Sequence, residues 1–185
     1  MAWEYLRTPE FDKRAEWVAD GLTHTFTGAT LLDLNCGHAP LYRLLRARGE
    51  LPIRYLGNDV DTEYLPKADR KATFYGVIDP AVVPIIQGAG ITIDILVVMG
   101  YYDYDAEPNN YESPTLNQTI ERLAQTEPGP REVVIECSHR CAEGAMRVAG
   151  MFGLPHSSHE EKNVAWSGRS DMAWLARRFI ARLHA

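Results

Sequence analysis

ATLLDLNCGHAPL, residues 29–41, is the stretch on which the fold turns. Its apolar first half reads as a short buried strand and CGHA as a tight turn. Pro40 can then open a helix at its first position and Gly49 can close it. Leu41, Leu44 and Leu45 give that helix an apolar side, and Arg48 places a cation where the helix dipole favours one. A strand running into a tight turn and a helix presents free backbone N–H groups at the strand's carboxyl end, where ligands collect. Gly37 lets main chain approach such a ligand closely, and Asn35 is one of the few non-glycine types that tolerate a positive φ.

Outward from this unit the pattern repeats. IRYLGND (53–59) reads as a second strand, TEYLPKA (62–68) as a short helical turn interrupted by Pro66, and ATFYGVI (72–78) as a third strand. Pro80 begins a brief helix, AVVPIIQ, which Gly88 and Gly90 break. ITIDILVVM (91–99) is rich in β-branched residues and almost wholly apolar, as a central strand covered on both faces should be. After the polar and aromatic loop YYDYDAEPNNYES (101–113), Ser113 and Pro114 start a helix carrying Leu116, Ile120, Leu123 and Ala124. REVVIE (131–136) is a fifth strand, leading through CSHRC (137–141) into a helix that ends near Gly150 or Gly153.

Upstream, Phe11, Ala15, Val18 and Leu22 form one stripe of a leading helix over about 9–22. Downstream, Ser170 and Asp171 can cap a helix whose apolar face is Met172, Leu175, Ala176, Phe179, Ile180 and Leu183. Arg177, Arg178 and Arg182 then form its solvated side. Strand and helix in alternation imply parallel pairing with right-handed crossovers. The expected fold is therefore an α/β three-layer sandwich around a mostly parallel, doubly wound sheet. One domain is expected over 1–185, with its core from about 29.

Composition narrows the function. A 45% hydrophobic and 24% charged chain of 185 residues is a globular composition, which excludes a disordered or fibrous protein. Nineteen Lys+Arg against 25 Asp+Glu leave −6, which argues against a partner bound through a phosphate backbone. No apolar run reaches membrane-spanning length, and charges occupy the place of a signal peptide's apolar region. Three cysteines, Cys36, Cys137 and Cys141, do not make a disulfide framework, so the expected compartment is the cytoplasm.

The order of these motifs resembles the class I S-adenosylmethionine-dependent methyltransferases over roughly Phe11 to Cys141. LLDLNCGHAPL looks like the family's first motif, IRYLGNDVD like its second, and IDILVVMG like its fourth strand. The resemblance implies a Rossmann-like fold and S-adenosylmethionine as cofactor. It implies that Asp33 orients the cofactor's ammonium, with Asn35, Cys36 and Gly37 forming the turn around it. Asp59, at the end of the second strand, would accept both ribose hydroxyls, with Asp61 the near competitor; Val60 would lie on the adenine face, and Asp79 would take the adenine amino group. Met99 and Gly100, at the end of the fourth strand, would also bind the cofactor. The chain departs from the family at Asn35 and Ala39, where glycines are usual, and at His38, which adds bulk at the mouth of the turn. The family's last hairpin strand would have to come from DMAWLARRFI (171–180), which periodicity reads as helix.

Candidate catalytic groups are His139, after the fifth strand and able to act as a general base near neutral pH, and Asp103 and Tyr104 in the loop after the fourth. That loop lacks the Asn/Asp-Pro-Pro-Tyr signature of amino methyltransferases, which leaves a small-molecule acceptor by elimination. Asp94 reads as a partner for local backbone groups. Cys137-Ser-His139-Arg-Cys141 is not a common zinc framework, so no metal is expected. Two rivals remain: a non-catalytic binding protein on the same fold, and an NAD(P)-dependent reductase, whose glycine fingerprint is absent.

Overall fold

A computed structural model describes residues 9–22, 28–59, 61–63, 65–77, 79–101, 115–163 and 176–185. Thr30–Leu34 forms β1, with all but its first residue buried, and Pro40–Arg48 forms α2 after the turn, closed by Gly49 at φ 72°. Ahead of them lies α1, Pro9–Asp20. The chain continues through β2 (Arg54–Asn58), β3 (Ala72–Tyr75), α3 (Asp79–Gly88), β4 (Ile95–Tyr101), α4 (Thr115–Ala124), β5 (Glu132–Ser138), a 3-10 turn at His139–Cys141, α5 (Ala142–Gly150), β6 (His156–Asn163) and β7 (Arg177–His184).

The seven strands form one sheet in the order β3-β2-β1-β4-β5-β7-β6. β3 through β5 in that order are parallel, and β7 enters antiparallel between β5 and β6. Alternate residues feed two cores, as the two-residue side-chain period requires. On one face Leu31, Tyr55, Val97, Val134 and Ile180 pack with Ala15 and Val18 of α1 and Leu41 and Leu45 of α2. On the other, Leu32, Leu56, Leu96, Val98 and Ile135 pack with Val82 and Ile86 of α3, Ile120 of α4 and Val148 of α5. The result is the expected three-layer α/β architecture. Every residue of β5 is buried, because helices cover both of its faces.

Three expectations are corrected. The tail segment 177–184 is a strand, not a helix: Phe179, Ile180, Ala181 and Leu183 are all buried, so apolar residues occur on both faces of β7 and mimic a helical stripe. The proposed cap at Ser170 and Asp171 lies outside the described residues. Arg178, read as solvated, is 2% exposed, and Arg182, read likewise, is half-buried and donates to the Trp17 carbonyl at 2.5 Å and to Glu160 at 2.5 Å. The connection from β2 to β3 has a turn at Thr62–Glu63 and no helix among its described residues. Instead Asp69 holds it, accepting from Tyr42 Oη of α2 at 2.5 Å and from the N–H groups of Lys71 and Ala72.

Strand β6, HSSHEEKN, gives no apolar signal at all. It exists because β7 supplies a complete antiparallel partner and because its side chains pair across the ladder. Arg177 bonds Glu161 at 2.6 Å, and the rings of His156 and His159 stack on His184 and Phe179. Its charges also suit a sheet edge, where they oppose pairing with another chain.

Candidate functional site

The carboxyl ends of β1, β2 and β4 lie side by side, since Leu34 is in register with both Asn58 and Val98. The turn after β1 is built from alternating left-handed residues: Asn35 at φ 56°, Gly37 at φ 53° and Ala39 at φ 55°. Asn35 tolerates this conformation, and Ala39 is held in it, fully buried, by its N–H bond to the Cys36 carbonyl at 2.7 Å. A Cβ added to Gly37 would meet none of the described residues within 4 Å, so among them the turn is open on this side. The Cys36 thiol is buried, and its N–H bonds the Asn58 carbonyl of β2 at 3.0 Å.

Asp59 fastens this turn to the end of β2. Its Oδ2 accepts from the Gly37 N–H at 2.8 Å and its Oδ1 from the Asp61 N–H at 2.9 Å, while the residue as a whole is half-buried. Asp33, the fourth residue of β1, is wholly buried. Tyr55 of β2 donates its hydroxyl to Asp33 Oδ2, whereas Oδ1 has no hydrogen-bond partner among the described residues. Burial pushes the Asp33 carboxyl up to about 7, with Asp59 adding to the rise and the Tyr55 hydroxyl and Arg14 working against it. Tyr55 is driven well above its ordinary value by its own burial and by the charge of Asp33.

Helix α1 crosses this face. Asp12 Oδ1 lies 3.0 Å from His38 Nε2, so the bulk that His38 adds at the turn is a contact with α1. Two residues on, Arg14 reaches Glu136 Oε2 at 3.1 Å. Glu136 is completely buried and gathers three elements: Arg14 from α1, Arg178 from β7, and the Gly100 N–H of β4 at 2.9 Å. Burial alone would raise its carboxyl, but Arg178 and Arg14 outweigh that and hold it below the ordinary range. Arg14, desolvated, falls to about 10. Gly100 sits at φ 77°, where the β4–β5 register slips between Met99 and Tyr101, and Met99 is buried beside it, paired with Glu136.

The remaining candidates are more scattered. His139 occupies the 3-10 turn after β5 with Nδ1 3.0 Å from Glu161 Oε1 of β6, so its ring turns toward the antiparallel edge of the sheet. Asp79 begins α3, its side chain not described, and Val60, Asp103 and Tyr104 lie outside the described residues. Asp94 accepts from the Thr30 N–H at 2.8 Å and from Arg131 at 2.9 Å, the local backbone role expected of it. Cys137 and Cys141 are buried, and no group of three metal-ligating side chains gathers among the described residues. No helix there is long and apolar enough to cross a membrane.

Sequence reasoning missed Tyr55, Arg14, Glu136 and Arg178. The usable signal was Glu136 itself: a charge inside the largely apolar fifth strand demands a partner once that strand is buried.

No protein-family model matches the chain, and no curated protein matches it by sequence. Solved structures do. A SAM-dependent methyltransferase from Archaeoglobus fulgidus superposes with a TM-score of 0.65 at 8% identity, covering 100% of this chain and 98% of that one. One from Agrobacterium tumefaciens gives 0.59 at 13% identity, with 96% and 62% covered. The magnesium protoporphyrin IX methyltransferase from Synechocystis, solved with bound SAM, gives 0.56 at 16% identity, with 94% and 77% covered. With its parallel strands β3 to β5, antiparallel β7 and glycine turn after β1, the chain has the fold of the SAM-dependent methyltransferases.

Proposed function

We propose that residues 1–185 form one cytoplasmic domain that binds S-adenosylmethionine and transfers its methyl group to a small acceptor. The observation that carries this reading is the Gly37–Asp59 clasp: a half-buried carboxylate fastened to an open, left-handed turn at adjoining strand ends. Asp59 would receive the ribose hydroxyls, and Asp33, with one oxygen unpartnered among the described residues in a buried site, would favour the cofactor's ammonium. Asn35, Cys36, Gly37, Val60 and Asp79 would line the adenosine, and Met99 and Gly100 the methyl end. The bound cofactor supplies an activated methyl group on a sulfonium. The protein's share is to align acceptor and methyl and exclude water, so positioning provides much of the rate. Asp103, Tyr104 and His139 are the groups to test for proton removal from the acceptor. The net charge of −6 favours a metabolite over a nucleic acid.

A non-catalytic binding protein is the second reading, favoured by the engagement of both Asp59 oxygens by the chain's own N–H groups. Calorimetric titration with S-adenosylmethionine, S-adenosylhomocysteine and NADH tests the proposal. Heat with the first two alone is expected; heat with NADH alone points to a reductase, and none with any ligand removes the enzyme reading.

A further inference from the structure

We propose that Tyr55 is a positioning residue of the cofactor site, holding Oδ2 of Asp33 from the interior so that the carboxylate keeps its charge and Oδ1 for the cationic end of an amino-acid-bearing ligand. The inference rests on the reading that this site takes S-adenosylmethionine.

Its geometry is unusual for a strand tyrosine. Tyr55 is completely buried, its ring packed against Tyr42 at 5.3 Å and Phe74 at 6.0 Å, and its hydroxyl ends on Asp33 of the neighbouring strand. The rings of Tyr42 and Phe74 therefore hold the Tyr55 ring in place, with its phenol oxygen against Asp33. Beside Asp33 on β2 stands Gly57, where a Cβ would lie 2.5 Å from the Phe74 ring, so Phe74 closes the space that a larger residue would fill. The β4 neighbour is Val97, which carries no charge.

Among the described residues, these charged and titratable groups act on Asp33 or on the Tyr55 bonded to it. From β2 come Tyr55 and, at the strand end, Asp59; from α1, Arg14; from the turn, Cys36; and from α2, Tyr42, whose own hydroxyl is given to Asp69. Burial and Asp59 favour the neutral acid, and the Tyr55 hydroxyl and Arg14 favour the anion. A site so balanced responds to a ligand cation: an ammonium near Asp33 binds best when the carboxyl is ionised, so affinity should rise as pH rises through neutrality. Removing the Tyr55 donor tips the balance to the neutral acid and weakens that attraction, while a neutral ligand should be indifferent.

Tyr55→Phe keeps the ring and removes only the donor. Calorimetry with S-adenosylhomocysteine, which has the amino-acid end, and with methylthioadenosine, which lacks it, separates positioning from packing. In the unaltered protein the former should bind roughly tenfold tighter at about pH 8 than at about pH 6. Tyr55→Phe should lose roughly tenfold for S-adenosylhomocysteine at about pH 7, the size expected for one hydrogen bond to a charged acceptor, and displace the pH rise upward. Methylthioadenosine affinity should not change. Asp33→Asn, neutral at every pH, should abolish the pH dependence and serves if Tyr55→Phe folds poorly. Equal loss for both ligands, or an unchanged S-adenosylhomocysteine profile in either variant, would overturn the inference and leave the proposed function standing. Binding of neither ligand by the unaltered protein would remove both.

Discussion

Replacing Asp33 by Asn should change how the stability of the ligand-free protein depends on pH, and by a predictable amount. The native carboxyl keeps its proton up to about pH 7 because it is buried, whereas in the unfolded chain a carboxyl of this type releases its proton near about pH 4. Between those values the native state holds more protons than the unfolded one. Raising the pH therefore removes native stability, which is fully present below about pH 4 and lost as pH rises through about 7. The slope for one group is about 1.4 kcal/mol per pH unit, so between about pH 5 and about pH 8 the unaltered protein should lose about 2–3 kcal/mol that the variant does not. Asparagine can still accept from Tyr55, but its amide N–H groups need partners, which costs about 1–3 kcal/mol at every pH. The variant should thus be no more stable than the unaltered protein at the lower pH and should gain on it steadily above. Urea denaturation of both proteins at both pH values gives the comparison, and other titrating groups cancel in the difference. Parallel pH curves, or a difference that moves toward the unaltered protein at higher pH, would refute the account of Asp33.

The other predictions concern the surroundings of the same strand ends. Glu136→Ala leaves Arg14 and Arg178 buried without their shared carboxylate and should cost about 3–5 kcal/mol in chemical denaturation. Gly57→Ala forces a Cβ to within 2.5 Å of the Phe74 ring and 3.1 Å of Cys36 Sγ; displacement of the ring should cost about 1–3 kcal/mol of stability. Asp59→Ala releases the Gly37 N–H and, on the proposed reading, removes the ribose acceptor, so S-adenosylmethionine affinity should drop by at least roughly tenfold in calorimetry.

What the sequence could reveal followed from which residues carry redundant signals. β1, β4 and β5 were legible because strands covered on both faces are largely apolar runs, and the Pro40-to-Gly49 helix because each end has its own marker. β7 has the same two-sided burial, but its apolar residues at 179, 180 and 183 fall on a helical repeat as well as in a strand, and periodicity alone cannot separate the two. β6 could not be read at all, since what orders it is the partner strand and the cross-ladder pairs, neither of which is encoded in HSSHEEKN locally.

The site divides along the same line. Gly37 and Asp59 were legible as a glycine turn and a strand-end carboxylate, because local backbone geometry needs those residue types where they stand. The contacts that set the electrostatics were not: Tyr55 meets Asp33 across 22 positions of sequence, Arg14 meets Glu136 across 122, and Arg178 meets Glu136 across 42. In each, a residue typed as core aromatic or surface cation acquires its role only when the sheet brings a buried carboxylate beside it. Both carboxylates stand in strands that hydrophobic burial alone would fill with valine or isoleucine, so folding carries their desolvation as a cost. Glu136 has that cost offset inside the protein, by two guanidiniums and the Gly100 N–H. Among the described residues, Asp33 has a hydrogen bond from Tyr55 and keeps an oxygen without one. The difference between the two is the reason to look for a cationic ligand at Asp33 and a structural tie at Glu136.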